Sequence, residues 1–368
     1  MVIQQLTLRK FRNIEDEVVT FESGVNIICG DNAQGKTNIV EAVGLFSHGK
    51  SFRAVREKEM IYTHSDSAVL AAKYIRHGRK HTAEIKLYRG AKKECYTDGV
   101  KLEKNSQLIG GMLCVVFSPE HLNLIKEGPR ERRRFLDMAV SQISPKYFRA
   151  LSSYGKILAN RNSLLKMLRS NPRCIDTLDA WDEKLCEYGA YIIYKRAEMT
   201  KRLAQSAAEA HKGISKGAEI LEVSYLSECL RGSERVDMTE ISKQMKHLLD
   251  IRREDDIRRA VTSAGPHRDD LGVVINGLSA RLYGSQGQQR SCVLSLKIAE
   301  AELIAAVEGE PPIMLLDDVL SELDENRQAF LMEKIEGMQV IITTCDQEPR
   351  IGESARRMKV EKGKIVRH

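Results

Sequence analysis

Eight consecutive residues, Gly30-Asp31-Asn32-Ala33-Gln34-Gly35-Lys36-Thr37, satisfy the spacing G-x-x-x-x-G-K-[ST] in full. They follow an apolar run, Val25–Cys29, and precede an amphipathic stretch bearing Ile39, Val40, Val43, Leu45 and Phe46. That is the strand–loop–helix setting the motif needs, and it sets the motif apart from a chance glycine turn. Glycines let backbone N–H groups close around phosphate oxygens, and a helix N-terminus adds partial positive charge. The sequence predicts a nucleotide site in which Gly30 to Thr37, with Asn38, cradle the phosphates. Lys36 would reach the β- and γ-phosphates, and the Thr37 hydroxyl would ligate Mg²⁺.

Two further groups complete the chemistry. The apolar run Ile313–Leu316 ends at Asp317-Asp318. Asp317 is placed to hold the metal, and Asp318, one residue on, to activate a water. Upstream, Ser285-Gln286-Gly287-Gln288-Gln289-Arg290 opens a helical stretch. Ser285, Gly287 and Gln288 there offer a hydroxyl, free N–H groups and a helix dipole to an anion. The first loop already holds its own γ-phosphate, so this second cradle makes sense if it serves a partner subunit. As an isolated string it would equally be a helix cap; its place about 30 residues before Asp317, with Ser321-Glu322-Leu323-Asp324 just after, strengthens it.

The elements that must carry these residues are readable in outline. Strand patterns cover Ile3–Leu8, Val18–Phe21, Val25–Cys29, Ala68–Ile75, Ala83–Tyr88 and Gly111–Phe117, with hairpin turns at His77-Gly78-Arg79-Lys80 and Thr97-Asp98-Gly99. From Ser144-Pro145, an N-cap followed by a first-turn proline, the period becomes helical. Tyr147, Leu151, Tyr154, Leu158, Leu165 and Leu168 form one stripe, interrupted at Arg161-Asn162. Leu178, Trp181, Leu185, Tyr188, Ile192, Met199 and Leu203 form a second. Such stripes are ordinary helix packing. Strands return at Leu271–Ile275, Ile313–Leu316 and Val340–Ile342, with helices expected over 285–307 and 325–335. About 280 residues separate Thr37 from Asp317, and an insertion explains the gap. The expected fold is an α/β P-loop head of residues 1–139 and 260–368, interrupted by a helical arm over 140–259.

Composition bounds the rest. The chain has 368 residues, 58 Lys+Arg against 51 Asp+Glu, and a formal net charge of +7. No apolar run approaches the ~20 residues that span a bilayer. The opening MVIQQLTLRKF has no signal-peptide core, so a cytoplasmic location is expected. Eight dispersed cysteines without a CxxC argue against a zinc site or a disulfide framework.

Taken together, the motifs resemble ABC-type ATPase heads of the SMC/RecF kind. The resemblance narrows to the RecF family of bacterial DNA-repair proteins on Leu6–Ile14, Gly30–Asn38 with Glu41-Ala42, Phe117–Glu120, Arg132–Asp137, Gly265–Asp270 and Leu315–Asp324. It spans the head almost end to end. It implies binding of ATP and Mg²⁺, ATP-driven homodimerisation with Ser285, Gly287 and Gln288 acting in trans, and a D-loop role for Asp324. It further implies slow hydrolysis by Asp318 and Lys36, and DNA binding. It also implies partnership with RecO and RecR in placing RecA on single-stranded DNA. Departures from the pattern are Glu127 where a glycine is usual, Gln286 in the signature, Asp318 in place of Glu, and Thr343-Thr344-Cys345-Asp346 where many ABC proteins put a switch histidine.

Candidate DNA contacts come from basic clusters, chiefly Arg132, Arg133, Arg134, Arg79 and Lys80, with a basic tail over 350–368. Contacts of this kind give salt-dependent affinity without base readout. Each cluster reads more readily as a solvated face, and for Arg132–Arg134 a structural role near the nucleotide or between lobes competes equally. Aromatics at 5% do not interleave with the basic runs, which favours duplex backbone over single-strand stacking. Another SMC-like ABC ATPase of DNA metabolism is the alternative. The insertion is too short for long heptad arms, and nothing couples the chain to a membrane transporter.

Overall fold

The computed structural model describes residues 1–366 apart from 55, 170, 172–174, 232–236 and 346–354. Contacts divide the chain into two units. The first comprises Met1–Leu122, Glu209–Ala218 and Gln286–His368; the second comprises Asn123–Ala208 and Glu219–Ser285.

The first unit holds two six-stranded sheets. One is antiparallel, in the order Ile14–Thr20, Val2–Phe11, Ser67–Arg76, Arg79–Tyr88, Glu94–Thr97 and Val100–Lys101. Its two-residue turns at His77-Gly78 (φ 46° and 73°) and Asp98-Gly99 (φ 50° and 78°) are left-handed at both positions, matching the twist of the flanking strands. The first turn is tighter than the expected four residues, and Arg79 and Lys80 lie on the strand instead. The other sheet runs Lys364–Val366, Arg356–Glu361, Val25–Cys29, Val340–Thr344, Ile313–Asp317 and Cys114–Phe117. All neighbours in it are parallel except the edge pair 356–361 with 364–366. The strands at Ile313–Asp317, Val340–Thr344 and Cys114–Phe117 are buried at every position. Burial on both faces explains why they read as unbroken apolar runs rather than alternations. The helix Lys36–His48 packs on these strands, and Gln286–Glu308 supplies 14 further buried residues.

The second unit combines the helices Pro129–Ile143, Pro145–Leu168, Met238–Ile251 and Arg253–Arg259 with most of Thr177–Ile214. Ser144 caps as expected, its Oγ accepting from Tyr147 N at 3.3 Å. The interruption in the first stripe is a buried staple. Arg161 is fully buried and donates to Asp182 at 2.5 Å, Asp256 at 2.8 Å and the Thr262 hydroxyl at 2.9 Å. The expected all-helical block over 140–259 is corrected in three respects. A helix already starts at Pro129, behind Gly128. A strand, Leu221–Leu226, lies inside the block, at the edge of an antiparallel sheet with Asp270–Ile275 and Leu278–Ser279. Residues 123–139 and 260–285 also group with the helices, whereas 209–218 group with the sheets. Glu127 causes no strain where a glycine is usual, because its φ is not positive and its carbonyl accepts from Arg132 at 2.8 Å. Among the described residues no helix is long and apolar enough to cross a membrane.

Candidate nucleotide-binding site

In the parallel sheet, Val25–Cys29, Val340–Thr344 and Ile313–Asp317 lie side by side, so their C-terminal ends bring three chain segments to one edge. Open parallel sheets bind ligands at that edge. Gly30 to Gly35 leave the first strand as a loop, and Lys36 opens the helix.

Two glycines in the loop are there for steric reasons. At Gly30 (φ 151°) a Cβ would sit 2.4 Å from the Val360 carbonyl oxygen. At Gly35 (φ 110°) it would sit 2.8 Å from Asn13 Oδ1. Neither conformation suits a side chain. The loop is fastened from outside as well: Gly363 N donates to Gln34 O at 2.9 Å, and Lys362 N donates to Gln34 Oε1 at 2.5 Å. Asn13 accepts from Asn38 Nδ2 at 2.8 Å. Asp31, Asn32 and Ala33 are exposed along the rim. Lys36 is 6% exposed, with its ammonium donating to the Asp31 carbonyl at 2.8 Å and the Cys345 thiol at 3.4 Å.

The metal-ligand pair predicted from sequence is together. Thr37 Oγ1 donates to Asp317 Oδ1 at 2.9 Å, and Thr343 Oγ1 donates to the same oxygen at 2.7 Å. Burial pushes the Asp317 carboxyl above its ordinary range, opposed by these two hydroxyls. Asp318 follows in a left-handed conformation (φ 53°), its N–H shared between Thr343 Oγ1 at 3.0 Å and Thr343 O at 3.2 Å. Thr343 positions both aspartates, its hydroxyl donating to Asp317 and its hydroxyl and carbonyl accepting from the Asp318 N–H. Asp346 lies outside the described residues.

Glu41 is fully buried on the loop's helix. It receives Arg12 through both oxygens, at 2.9 and 2.6 Å, and pairs with the Ser51 hydroxyl. Ser51 Oγ then accepts from the N–H groups of Arg53 and Ala54 at 2.9 and 2.7 Å. Sequence reasoning missed Asn13, Thr343, Ser51 and the 362–363 turn as parts of the site. Asn13 acts through its side-chain amide, Thr343 and Ser51 through hydroxyls, and the turn through backbone N–H groups, contacts that no motif spacing encodes.

Ser285 is exposed immediately before the helix Gln286–Glu308, and Gly287 and Gln288 lie in that helix's first turn. Asp324 caps the helix Glu325–Lys334, accepting from Arg327 N at 2.9 Å. That contact holds its carboxyl below the usual range.

The basic candidates separate. Arg132 is 5% exposed and paired through both donors with Asp270, at 2.7 and 2.9 Å. It is a structural cation and is removed from the candidate phosphate contacts. Arg133 is half-buried, donating to the Asp269 carbonyl at 2.6 Å. Arg134, Arg79 and Lys80 are exposed. Arg76, three residues before Arg79, is turned inward to Gly111 O and Glu308. The tail is strand over 356–361 and 364–366, and Arg350 and Arg367 lie outside the described residues.

Comparison with known proteins follows the same lines. The model of the RecF/RecN/SMC N terminal domain family matches residues 2–364. The DNA replication and repair protein RecF of Acetivibrio thermocellus is 42% identical over 349 residues, covering 95% of this chain and 94% of that one. That of Bacillus subtilis is 40% identical over 372 residues, covering all of both. The solved structure of the recombination mediator protein RecF-ATP in the RecFOR pathway superposes with a TM-score of 0.93 at 36% identity, covering 99% of this chain and 96% of that one. An Smc head from Pyrococcus furiosus, bound to the C-terminal domain of ScpA, shares the fold at a TM-score of 0.56 and 16% identity, with 99% and 95% covered.

Proposed function

The chain belongs to the RecF family, an ABC-type ATPase family, and from that premise we propose that it is an ATP-gated DNA-binding switch of recombinational repair and replication maintenance. ATP is taken up by Gly30–Asn38, where the glycine-shaped loop and the helix N-terminus receive the phosphates. Lys36 supplies the charge at the β- and γ-phosphates. Thr37 and Asp317 would hold Mg²⁺: a hydroxyl and a carboxylate oxygen 2.9 Å apart form a hard-oxygen set that suits it. When bound, the ion neutralises charge on the phosphate oxygens. Asp318 orients the attacking water and accepts its proton. Its carboxylate is one methylene shorter than a glutamate's, which fits weak, DNA-stimulated turnover used as a timer.

Ser285, Gly287, Gln288 and Asp324 serve the nucleotide of a second copy, so ATP drives a homodimer. The dimer clamps DNA at gaps or single/double-strand junctions. With RecO and RecR it helps to load RecA onto single strands in the cytoplasm. The RecFOR description of the solved relative supports this reading. The observation that carries it is the meeting of Thr37 with Asp317, 280 residues apart, at the loop's mouth. The test is sedimentation with saturating ATP and Mg²⁺, alongside binding to duplex, single-stranded and gapped DNA. Wild type and Asp318→Asn should dimerise and bind DNA, and Lys36→Ala should lose nucleotide. Ser285→Ala should bind nucleotide yet stay monomeric. A monomeric Asp318→Asn variant with bound ATP would sink the clamp.

A further inference from the structure

The segment ending at Asp324 and the first turn of the helix Gln286–Glu308 are joined by contacts to which the proposed function assigns no role. The Arg327 guanidinium turns back onto the Asp324 carboxylate that caps its own helix. Its Nε donates to Ser291 Oγ at 3.0 Å, and its Nη2 reaches the Gly287 carbonyl at 3.5 Å. Ser291 Oγ in turn donates to the same Gly287 carbonyl at 3.0 Å. Gln328, the next residue, donates to the carbonyls of Leu320 at 2.7 Å and Leu323 at 3.0 Å. Ser321 Oγ closes the loop onto the Asp318 carbonyl at 3.0 Å. Beside these, Arg290 pairs with Glu322. The loop from Asp318 to Asp324 is thus braced from the helix that follows it, and Arg327 carries that brace on to the Gly287 turn while Arg290 ties the helix Gln286–Glu308 to Glu322.

We propose that Arg327 is a positioning residue that fixes the first turn of the signature helix to the D-loop, so that Gly287, Gln288 and Asp324 meet a second copy as one preorganised surface. This rests on the trans reading of those residues. A planar fork of five donors suits the task, because it satisfies a carboxylate, a hydroxyl and a carbonyl from one rigid group. A surface already ordered before association spares the ordering cost that a loose turn would add to it. None of these contacts involves Gly30–Asn38. The effect therefore belongs to self-association and not to nucleotide binding within one chain.

The experiment compares wild type, Arg327→Ala, Arg327→Lys, Ser291→Ala and the Arg327→Ala/Ser291→Ala double variant of the full chain. Binding of a fluorescent ATP analogue to dilute monomer is read beside ATP–Mg²⁺-driven dimerisation over a protein concentration series. Arg327→Ala should bind the analogue within about twofold of wild type, while its half-dimerisation concentration rises about tenfold. Arg327→Lys keeps the pair with Asp324 but lacks the fork, so it should not restore dimerisation. Ser291→Ala should fall in the same direction, and the double variant should be no worse than Arg327→Ala, since both remove one linkage. Wild-type dimerisation in Arg327→Ala, rescue by lysine, or parallel loss of analogue binding overturns the proposal. Should Arg327→Ala fail to fold, Ser291→Ala and Arg327→Lys decide by the same readings. A wild-type chain that stays monomeric with ATP would defeat the trans reading and this inference with it. Dimerisation blocked by Ser285→Ala but not by Arg327→Ala would defeat this inference alone.

Discussion

Asp318 stands in a left-handed backbone conformation where the strand Ile313–Asp317 ends, held there by Thr343. Aspartate and asparagine tolerate that region better than other side chains with a Cβ. Asp318→Asn should therefore remove the proton acceptor without disturbing the backbone. Its turnover should fall about 10²-fold or more while ATP binding persists, as single-turnover and equilibrium assays would record. Asp318→Glu adds the missing methylene at a backbone cost on the order of 1 kcal/mol. If turnover is slow because the carboxylate is short, this variant hydrolyses ATP faster; an unchanged or lower rate would discard that explanation. Arg132 teaches the opposite lesson. It sits in a basic run, yet its guanidinium is buried against Asp270 and the carbonyls of Leu124 and Glu127. Removing one partner of such a pair leaves an uncompensated carboxylate and costs about 3 kcal/mol. Chemical denaturation of Arg132→Ala should show that loss, whereas Arg134→Ala should stay within about 0.5 kcal/mol of wild type. A stable Arg132→Ala with weakened DNA binding would return Arg132 to the interface.

Among the elements, those that carry the site were the most legible. Val25–Cys29, Ile313–Asp317 and Val340–Thr344 lie in a parallel sheet covered on both faces, so each is an apolar run with turn residues at its end. The strand Leu221–Leu226 was not read, although Leu221, Val223 and Tyr225 alternate. Long helical stripes on either side set the expected period, and the strand's partner, Asp270–Ile275, lies some 50 residues on. The hairpin of 356–361 and 364–366 reads as basic tail because its lysines and arginines take the exposed and half-buried positions while Met358 and Val360 point to the core. Gly265–Asp270 is the stitching of the second unit. Arg196 donates to the Pro266 carbonyl at 2.6 Å, and Tyr225 to Asp269 at 2.5 Å. His267 lies between Tyr154 at 2.7 Å and the Thr262 carbonyl at 3.0 Å. The carbonyl requires Nε2 to carry the proton, so Nδ1 accepts from the tyrosine and the ring is neutral. Burial accordingly lowers the His267 pKa to about 4 and raises that of Asp269 to about 6. The two have opposite consequences for stability. His267 binds its proton more readily unfolded, so its contribution is full above pH 6.5 and is lost on the way down to about 4. Asp269 binds its proton more readily folded, so its contribution is full below pH 3.8 and is lost on the way up to about 6. Each is worth up to about 3 kcal/mol, and they nearly cancel between pH 4 and 6. Asp269→Asn should leave the histidine's slope alone, with stability rising from pH 4 to 6.5. His267→Gln should leave the aspartate's, with stability falling from pH 4 to 6. Denaturation midpoints across that range that are flat in both variants would contradict the assignment.

For the whole molecule, a net charge of +7 says less than where the cations are committed. Arg12, Arg76, Arg132, Arg161 and Arg196 are each spent on internal carboxylates, so a count of basic residues overstates what a polyanion would meet. Arg79 and Lys80 stand exposed on the strand Arg79–Tyr88 of the antiparallel sheet, with Lys73 exposed on its neighbour. Each phosphate neutralised by such a side chain releases counterions and adds about 0.9 to the slope of log affinity against log salt. Measured on duplex DNA with ATP and Mg²⁺, in the non-hydrolysing Asp318→Asn background, Arg79→Ala/Lys80→Ala should flatten that slope by about 1.8 for each chain engaged. Arg134→Ala should flatten it by about 0.9 if the second unit also touches the backbone. Dimerisation should be unchanged, because neither group lies among the residues assigned to nucleotide or partner. An unaltered slope with unaltered affinity would place the DNA on another face. Lost affinity at an unaltered slope would mean that the substitutions act through the fold and not through phosphate. The two outcomes separate charge that is merely present from charge that is used.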